Sequence, residues 1–446
     1  MKHAHAEYVA TLRYLGGLGH FGMRLGTEHM TRLLHRLGDP HKAYPVFHVA
    51  GTNGKGSTAH ALAAILRSAG LRVGLYTSPH LLRFTERILV GAQEIDKEAV
   101  ARLAARVREA SSGLPLTFFE VVTAIGFEHF AHEHVDAAVV EVGLGGRLDA
   151  TNVVEPLVSL ITSIGLEHRE HLGSTIADIA REKAGIIKSG RPVVLGEMPA
   201  VAQRAIEAIA QERGAPVHAF GREYTALREA PSADGERFWF RGKAFGGRLV
   251  TPMRGRYQVA NAAMAAYAAE LAAGFGLPIE EKHVAEGLVV THVHGRMMQV
   301  GDAPAVVLDV AHNPPAMRAL CGALLDRYGS KPMAFVVGML DDKDHLETLA
   351  AIAPQAVALW AVKPDSPRAR DPQDLVTAAR ELGIRAQAEE SVEAALAAAR
   401  AEVGPGGLVV VTGSFYTLSA AMRVLGIGGE PDAITLGDPV RAVPAS

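Results

Sequence analysis

The strongest constraint on the fold is a repeated alternation along the chain. Short apolar runs rich in Val, Ile and Leu at 45–50, 72–77, 136–142, 157–163 and 192–195 alternate with Ala-rich stretches of helical period at 55–69, 119–132, 175–187 and 200–213. Strands that are mainly apolar along their length have both faces buried, as in a parallel sheet covered by helices on each side. The expectation is an α/β fold built on a parallel sheet.

The rhythm breaks between about 215 and 256, where EYTALREAPSADGERFWFRGKAFGGRLVTPMRG predicts short half-buried strands, with ADGE as a hairpin signal. Helical patterns follow at 258–274 and 278–287. The alternation then restarts, with strands at 306–310, 333–337, 356–362 and 408–412 and a helix at 316–328. HVHGRMMQVGDAP at 292–304 interrupts both patterns and sets the boundary at about 291–303, so the domains are expected at 1–296 and 297–427. The Gly-, Pro- and Asp-rich stretch 428–446 is expected to be a loose tail.

Composition narrows the function. A chain of 446 residues suits two or three domains, and 48% hydrophobic with 21% charged residues excludes intrinsic disorder. Forty-five basic residues against 48 acidic ones give a net charge of −3, which excludes the basic footprint of a nucleic-acid binder. Cys321 is the single cysteine, so no disulfide framework or cysteine zinc site is available. No apolar run reaches the roughly 20 residues of a membrane span. The leading MKHAHAEYVATLRYLGG lacks the apolar core of a signal peptide. A cytoplasmic, monomeric enzyme acting on small molecules, with no nucleic-acid or membrane partner, is expected.

Gly51-Thr52-Asn53-Gly54-Lys55-Gly56-Ser57-Thr58 follows an apolar strand and opens a helix. Glycines let backbone N–H groups turn toward a phosphate, the helix N-terminus favours negative charge, and a lysine reaches the terminal phosphates. Ser57 or Thr58 supplies a hydroxyl for Mg²⁺ or a phosphate oxygen. The spacing departs from G-x-x-x-x-G-K-[ST]: Val49 stands at the first glycine position, and Gly56 separates Lys55 from Ser57. A plain Gly-rich turn would not need lysine, hydroxyls and helix in this order, so the segment is assigned to a nucleoside triphosphate.

Two further strands end in groups suited to the same crevice, since ligands gather at strand carboxyl ends in open α/β sheets. Glu141 opens EVGLGGRLDATN, and a carboxylate beside phosphates is a natural Mg²⁺ ligand. Glu167-His168 follows the next strand. Ser78 and Arg87 lie in a loop after the second strand and offer a hydroxyl and a guanidinium. Arg181-Glu182-Lys183 alone reads as a charged helix face. His129, His132 and His134 read as exposed helix-end imidazoles rather than zinc ligands.

Taken together, GTNGKGST, TSPH with FTER, EVGLGGRLDATN, REKAGIIK, HGR, LDVAHNP, GMLDDKD and VTGSFYTLSA resemble, in order and spacing from about 15 to 425, the folylpolyglutamate synthase/dihydrofolate synthase family of bifunctional bacterial type, which is related to the Mur ligases. The resemblance implies a P-loop, Mur-ligase-like ATP-binding domain followed by a smaller Rossmann-like α/β domain. It implies an ATP-dependent amide ligase that adds L-glutamate to dihydropteroate and to the γ-carboxylate of reduced folates through an acyl phosphate, with closure of the two domains on ATP.

By the same resemblance, Lys55 and the loop Thr52–Thr58 hold the ATP phosphates, with Gln258 and Asn261 near adenine, Arg296 toward the phosphates and Asp309 at the ribose. Ser78, Glu141 and His168 are implied ligands of Mg²⁺. Lys183 matches a lysine carbamylated by CO₂ that holds a second Mg²⁺, and Lys55, Lys183 and His312 are the implied catalytic residues. Phe119 and Asp149 match the pterin-binding segments, with core packing at a helix start as the alternative for Phe118 or Phe119. Arg87, His312 and Ser414 match the glutamate site, where a guanidinium fork suits a carboxylate. The chain departs from the family at Glu167, where Asp is usual, at His294 in place of proline, and at Val310 in place of glycine. Two other readings are a Mur-type ligase of a UDP-linked cell-wall precursor and a nucleotide-gated binding protein without turnover. The first lacks its additional UDP-binding domain here. The second is disfavoured by the presence of Lys55, Glu141 and His312 together.

Overall fold

The structure, a computed structural model, describes residues 2–18 and 26–432. Its first part runs α1 (Lys2–Gly17), α2 (Glu28–Arg36), β1 (Val46–Ala50), α3 (Lys55–Ser68), β2 (Val73–Tyr76), β3 (Ile88–Val90), β4 (Gln93–Glu94), α4 (Lys97–Ala110), α5 (Phe118–His132) and β5 (Ala137–Glu141). It continues through β6 (Pro156–Ile161), α6 (Arg169–Leu172), α7 (Ile176–Ala184), β7 (Val193–Leu195), α8 (Ala200–Glu212) and β8 (Val217–Ala219). These strands form one sheet in the order β4-β3-β2-β5-β1-β6-β7-β8. From β2 to β8 every neighbouring pair is parallel, as the apolar runs predict. At this edge β2–β3 and β3–β4 are antiparallel pairs, the second a hairpin closed by the two-residue turn at 91–92, which is too short for a crossover.

A small antiparallel sheet follows, of β9 (Thr225–Arg228), β10 (Glu236–Arg241) and β11 (Gly246–Thr251), with the expected turn between β9 and β10. Residues 217–219 differ from expectation. They extend the first sheet beside β7 instead of joining the small one. Helices α9 (Arg256–Gly274) and α10 (Glu281–Val289) then return to pack on α3, the helix behind the Gly-rich loop. The alanines at 262, 263, 265, 266, 268, 269 and 272 are fully buried and let α9 lie close to its neighbours.

The second domain contains β12 (Met298–Val300), β13 (Ala305–Leu308), α11 (Pro314–Tyr328), β14 (Met333–Val337), α12 (His345–Ile352), β15 (Ala356–Ala361) and α13 (Pro372–Glu381). It ends with β16 (Ala386–Ala388), α14 (Val392–Val403), β17 (Leu408–Thr412) and α15 (Phe415–Val424). Its sheet has the order β12-β13-β17-β14-β15-β16, parallel except for β12. Both faces of this sheet are covered by apolar side chains. No described helix is long and apolar enough to cross a membrane.

Two expectations are corrected. Residues 428–432 are not loose: Asp432 is 8% exposed, and its backbone N donates to Leu82 O at 3.1 Å. The remainder of that stretch, 433–446, lies outside the described residues. His129 is buried on α5, because the apolar face of that helix is wide enough to enclose it, while His132 and His134 are exposed. Among the described residues, no group of three His, Cys, Asp or Glu side chains is placed to hold a metal.

The packing of α10 on α3 leaves no room for a side chain at Gly287, where a Cβ would fall 2.4 Å from Ile65 Cα. Gly287→Ala is expected to separate the two helices and lower stability by about 2 kcal/mol, a usual cost of overpacking. Chemical denaturation measures this, and an unchanged midpoint would contradict the packing described.

Candidate active site

Five fully buried residues in β1 deliver the chain to the Gly-rich loop at the carboxyl edge of the sheet. Gly54 has φ +89°, and a Cβ there would lie 2.5 Å from Asn261 Oδ1, so the turn into α3 needs glycine. Thr52 N donates to Ser163 O at 2.7 Å, and Asn53 N donates to Ser163 Oγ at 3.1 Å, which pins the loop to the end of β6. Lys55 Nζ folds back on Gly51 O at 3.1 Å and Thr52 O at 3.3 Å.

This loop forms one wall of a cavity of about 550 Å³. Glu141, 4% exposed, enters from the end of β5, and its Oε2 accepts a hydrogen bond from Ser78 N at 3.1 Å. Burial raises its pKa, although Lys55 and the Ser78 amide work in the other direction. A buried carboxylate of this kind beside a phosphate loop suits a cation held between protein and phosphate oxygens. Ser78 and His168 line the same cavity, and His168 adds a nitrogen donor that is unusual for Mg²⁺.

Lys183, 4% exposed on α7, donates from Nζ to Gly51 O at 2.8 Å. Burial, then the nearby charge of Lys55, pushes its pKa down to about 7.

The second domain closes the cavity from the other side. Glu167 Oε1 faces His312 Nε2 at 3.0 Å and accepts from Lys343 Nζ at 3.3 Å. Burial alone would raise the Glu167 pKa. The hydrogen bond and charge of His312, with the charge of Lys343, hold it well below the usual carboxylate range. Burial and the Lys343 charge push the His168 pKa down. A reciprocal amide pair joins the domains at the loop itself. Asn53 Nδ2 donates to Asn313 Oδ1 at 3.2 Å, and Asn313 Nδ2 donates to Asn53 Oδ1 at 3.1 Å.

The structure brings Thr52, Asn53, Gly54, Lys55, Gly56, Ser57, Ser78, Arg87, Phe119, Glu141, Asp149, His168, Lys183, Asn261, Arg296, Asp309, His312 and Ser414 to this one cavity. Thr58 and Gln258 are fully buried outside its lining. Gln258 Oε1 accepts from Asn261 Nδ2 at 2.9 Å, so it orients the amide that does line the wall.

Several of the lining groups are already engaged. Asp149 accepts from Leu144 N, Thr151 N and Thr151 Oγ1, at 2.8, 2.9 and 2.5 Å. Asp309 accepts from Met297 N at 2.8 Å and Ala311 N at 2.9 Å, fixing the turn that carries Arg296. Burial raises the pKa of both carboxyls against these bonds. Ser414 Oγ caps α15 through Thr417 N at 3.1 Å. Arg87 donates from Nε to His80 Nδ1 at 2.7 Å and lies 5.4 Å over the Phe118 ring. Of the two phenylalanines, Phe118 is 2% exposed and belongs to the core, while Phe119 is half-buried with its ring over Gly143.

Sequence reasoning passed over two of the groups that join the domains, Asn313 and Lys343. Asn313 carries a helix-start signal, Asn before Pro-Pro, and Lys343 sits in the GMLDDKD segment, but neither pattern discloses its partner. Arg368 also lines the cavity, 3.4 Å from Asp342, with no local motif to mark it.

Known proteins share this arrangement. The Mur ligase middle domain matches residues 49–269, and the Mur ligase glutamate ligase domain matches residues 295–415. The folylpolyglutamate synthase of Lacticaseibacillus casei is 36% identical over 95% of this chain and all of its own length. A structure of Escherichia coli FolC in complex with DHPP and ADP superimposes with a TM-score of 0.86 at 35% identity, covering 94% of this chain and 97% of that one. A bifunctional folylpolyglutamate synthase/dihydrofolate synthase with Mn, AMPPNP and L-glutamate bound gives 0.82 at 34% identity, covering 94% and 98%. With this cavity between two Mur ligase domains and relatives matching along nearly the whole length, the chain belongs to the dihydrofolate synthase/folylpolyglutamate synthase family.

Proposed function

We propose that the chain joins L-glutamate to dihydropteroate and to the γ-carboxylate of reduced folates at the expense of ATP. The observation that carries this reading is the convergence of the phosphate loop, Phe119, Arg87 and the second-domain groups Arg296 and His312 on one cavity. An oxygen of the folate carboxylate attacks the γ-phosphorus and ADP leaves. The amine of glutamate then adds to the carbonyl carbon of the acyl phosphate, and the tetrahedral intermediate collapses with loss of phosphate and a proton. Positioning and charge neutralisation dominate such transfers.

Lys55 and the amides of the loop take the phosphates, with Arg296 beside them. Asn261, oriented by Gln258, faces the adenine, and Asp309 the ribose. Phe119 offers its ring to the pterin, and Asp149 holds the loop beneath it. Arg87, His312 and the backbone around Ser414 receive the incoming glutamate. Glu141, Ser78 and His168 would hold a divalent cation, which when bound neutralises phosphate charge. Lys183 is buried, and with its pKa near 7 a neutral amine is accessible to CO₂. As a carbamate it would carry the negative charge needed for a second Mg²⁺. Closure of the second domain keeps water from the acyl phosphate. The residues assigned to this site all lie on one chain, so the proposed reaction draws on no residue of a second subunit.

ADP release tests the substrate class. It should require both a pteroate or folate and L-glutamate, whereas release driven by a UDP-sugar with an amino acid would replace this reading with a cell-wall ligase, and no release with any acceptor would leave only nucleotide binding. Lys183→Ala is expected to lower turnover by about a hundredfold or more, the scale for removing one charge-stabilising group, with partial recovery in acetate. Full turnover in Lys183→Ala would refute the carbamate.

A further inference from the structure

The loop 81–87, which ends at Arg87, is held from within and from outside. Within it, Glu86 accepts from Leu81 N, Leu82 N and Arg83 N at 2.8, 3.1 and 2.9 Å. From outside comes the segment that follows α15 of the second domain. Arg83 donates to Gly428 O, and Asp432 N donates to Leu82 O at 3.1 Å. Asp432 Oδ2 accepts from Phe84 N and from Tyr8 Oη, both at 2.8 Å, and Lys97 Nζ stands 3.9 Å from Oδ1. One buried carboxylate thus ties together α1, the loop and the far end of the chain. Leu81 and Arg87 line the cavity, whereas Tyr8, Arg83, Glu86, Lys97 and Asp432 do not, and 428–432 lie beyond the matched domains.

We propose that Asp432 is a positioning residue for the incoming amino acid: by clamping 428–432 onto the loop 81–87, it fixes where Arg87 presents its guanidinium. This rests on the reading of Arg87 as the cation that receives the glutamate carboxylate. The physical basis is direct. Removing the carboxylate leaves Phe84 N and the Tyr8 hydroxyl without their buried acceptor, and the loop relaxes to satisfy them. A shift of about 1 Å in a substrate-holding group is enough to cost one to two orders of magnitude.

The test uses full-length Asp432→Ala, Asp432→Asn and Arg87→Ala, with L-glutamate varied at saturating ATP and folate. Asp432→Ala should raise the glutamate KM about tenfold while kcat and the ATP KM stay within about twofold, the signature of lost substrate positioning. Asp432→Asn keeps an oxygen for Phe84 N and should show a smaller rise. Amide hydrogen exchange should quicken at 81–87 in Asp432→Ala and remain unchanged in β1 and α3. Equal loss of ATP and glutamate affinity, or unchanged exchange at 81–87, would overturn the inference. If Arg87→Ala raises the glutamate KM and Asp432→Ala does not, the strap inference falls and the reading of Arg87 stands. If neither raises it, that reading fails and takes this inference with it.

Discussion

The arrangement depends on a part-buried carboxylate shared across two domains. Glu167, in the loop that follows β6, meets both His312 and Lys343 of the second domain within 3.3 Å. A largely enclosed carboxylate facing two basic side chains is costly to separate, because opening the junction would leave charge without a partner. The Asn53–Asn313 amide pair repeats the joint at the phosphate loop itself. Together they set the depth of the cavity. The loop alone would be a phosphate cradle open to water, and the second domain alone a pair of basic groups with nothing to act upon.

Glu167 Oε1 faces His312 Nε2 at 3.0 Å and lies 3.7 Å from His168 Nε2, so one carboxylate stands between the two imidazoles. His168 occupies a left-handed backbone conformation with φ +49°, turned by the start of α6 toward the same junction. Val310 is buried in the second-domain core, and its carbonyl faces His312 Nδ1 at 2.8 Å.

Local physics was legible in the sequence wherever it acts over a few residues. The apolar runs rich in Val, Ile and Leu identified β1, β2, β5, β6 and β7 as buried parallel strands, and the order strand, glycines, lysine, helix located the loop that Lys55 serves. Glu141 and His168 followed from the rule that strand carboxyl ends face the ligand. Contacts between residues far apart in the chain were not legible. The tail composition of 428–432 suggested solvent, yet Tyr8, more than four hundred positions earlier, buries Asp432. Thr58 and Gln258 show a second limit: each belongs to a segment assigned to the nucleotide, but the rotation of α3 and α9 turns both side chains into the interior, behind the lining.

The most direct measurement is a crystal structure of the enzyme with a non-hydrolysable ATP analogue. The account predicts the triphosphate along the amides of 53–57 with its terminal phosphate at Lys55, in the space enclosed by Glu141, Arg296 and His312. Nucleotide lodged away from Lys55, or bound at the loop with no second-domain group near its phosphates, would contradict it.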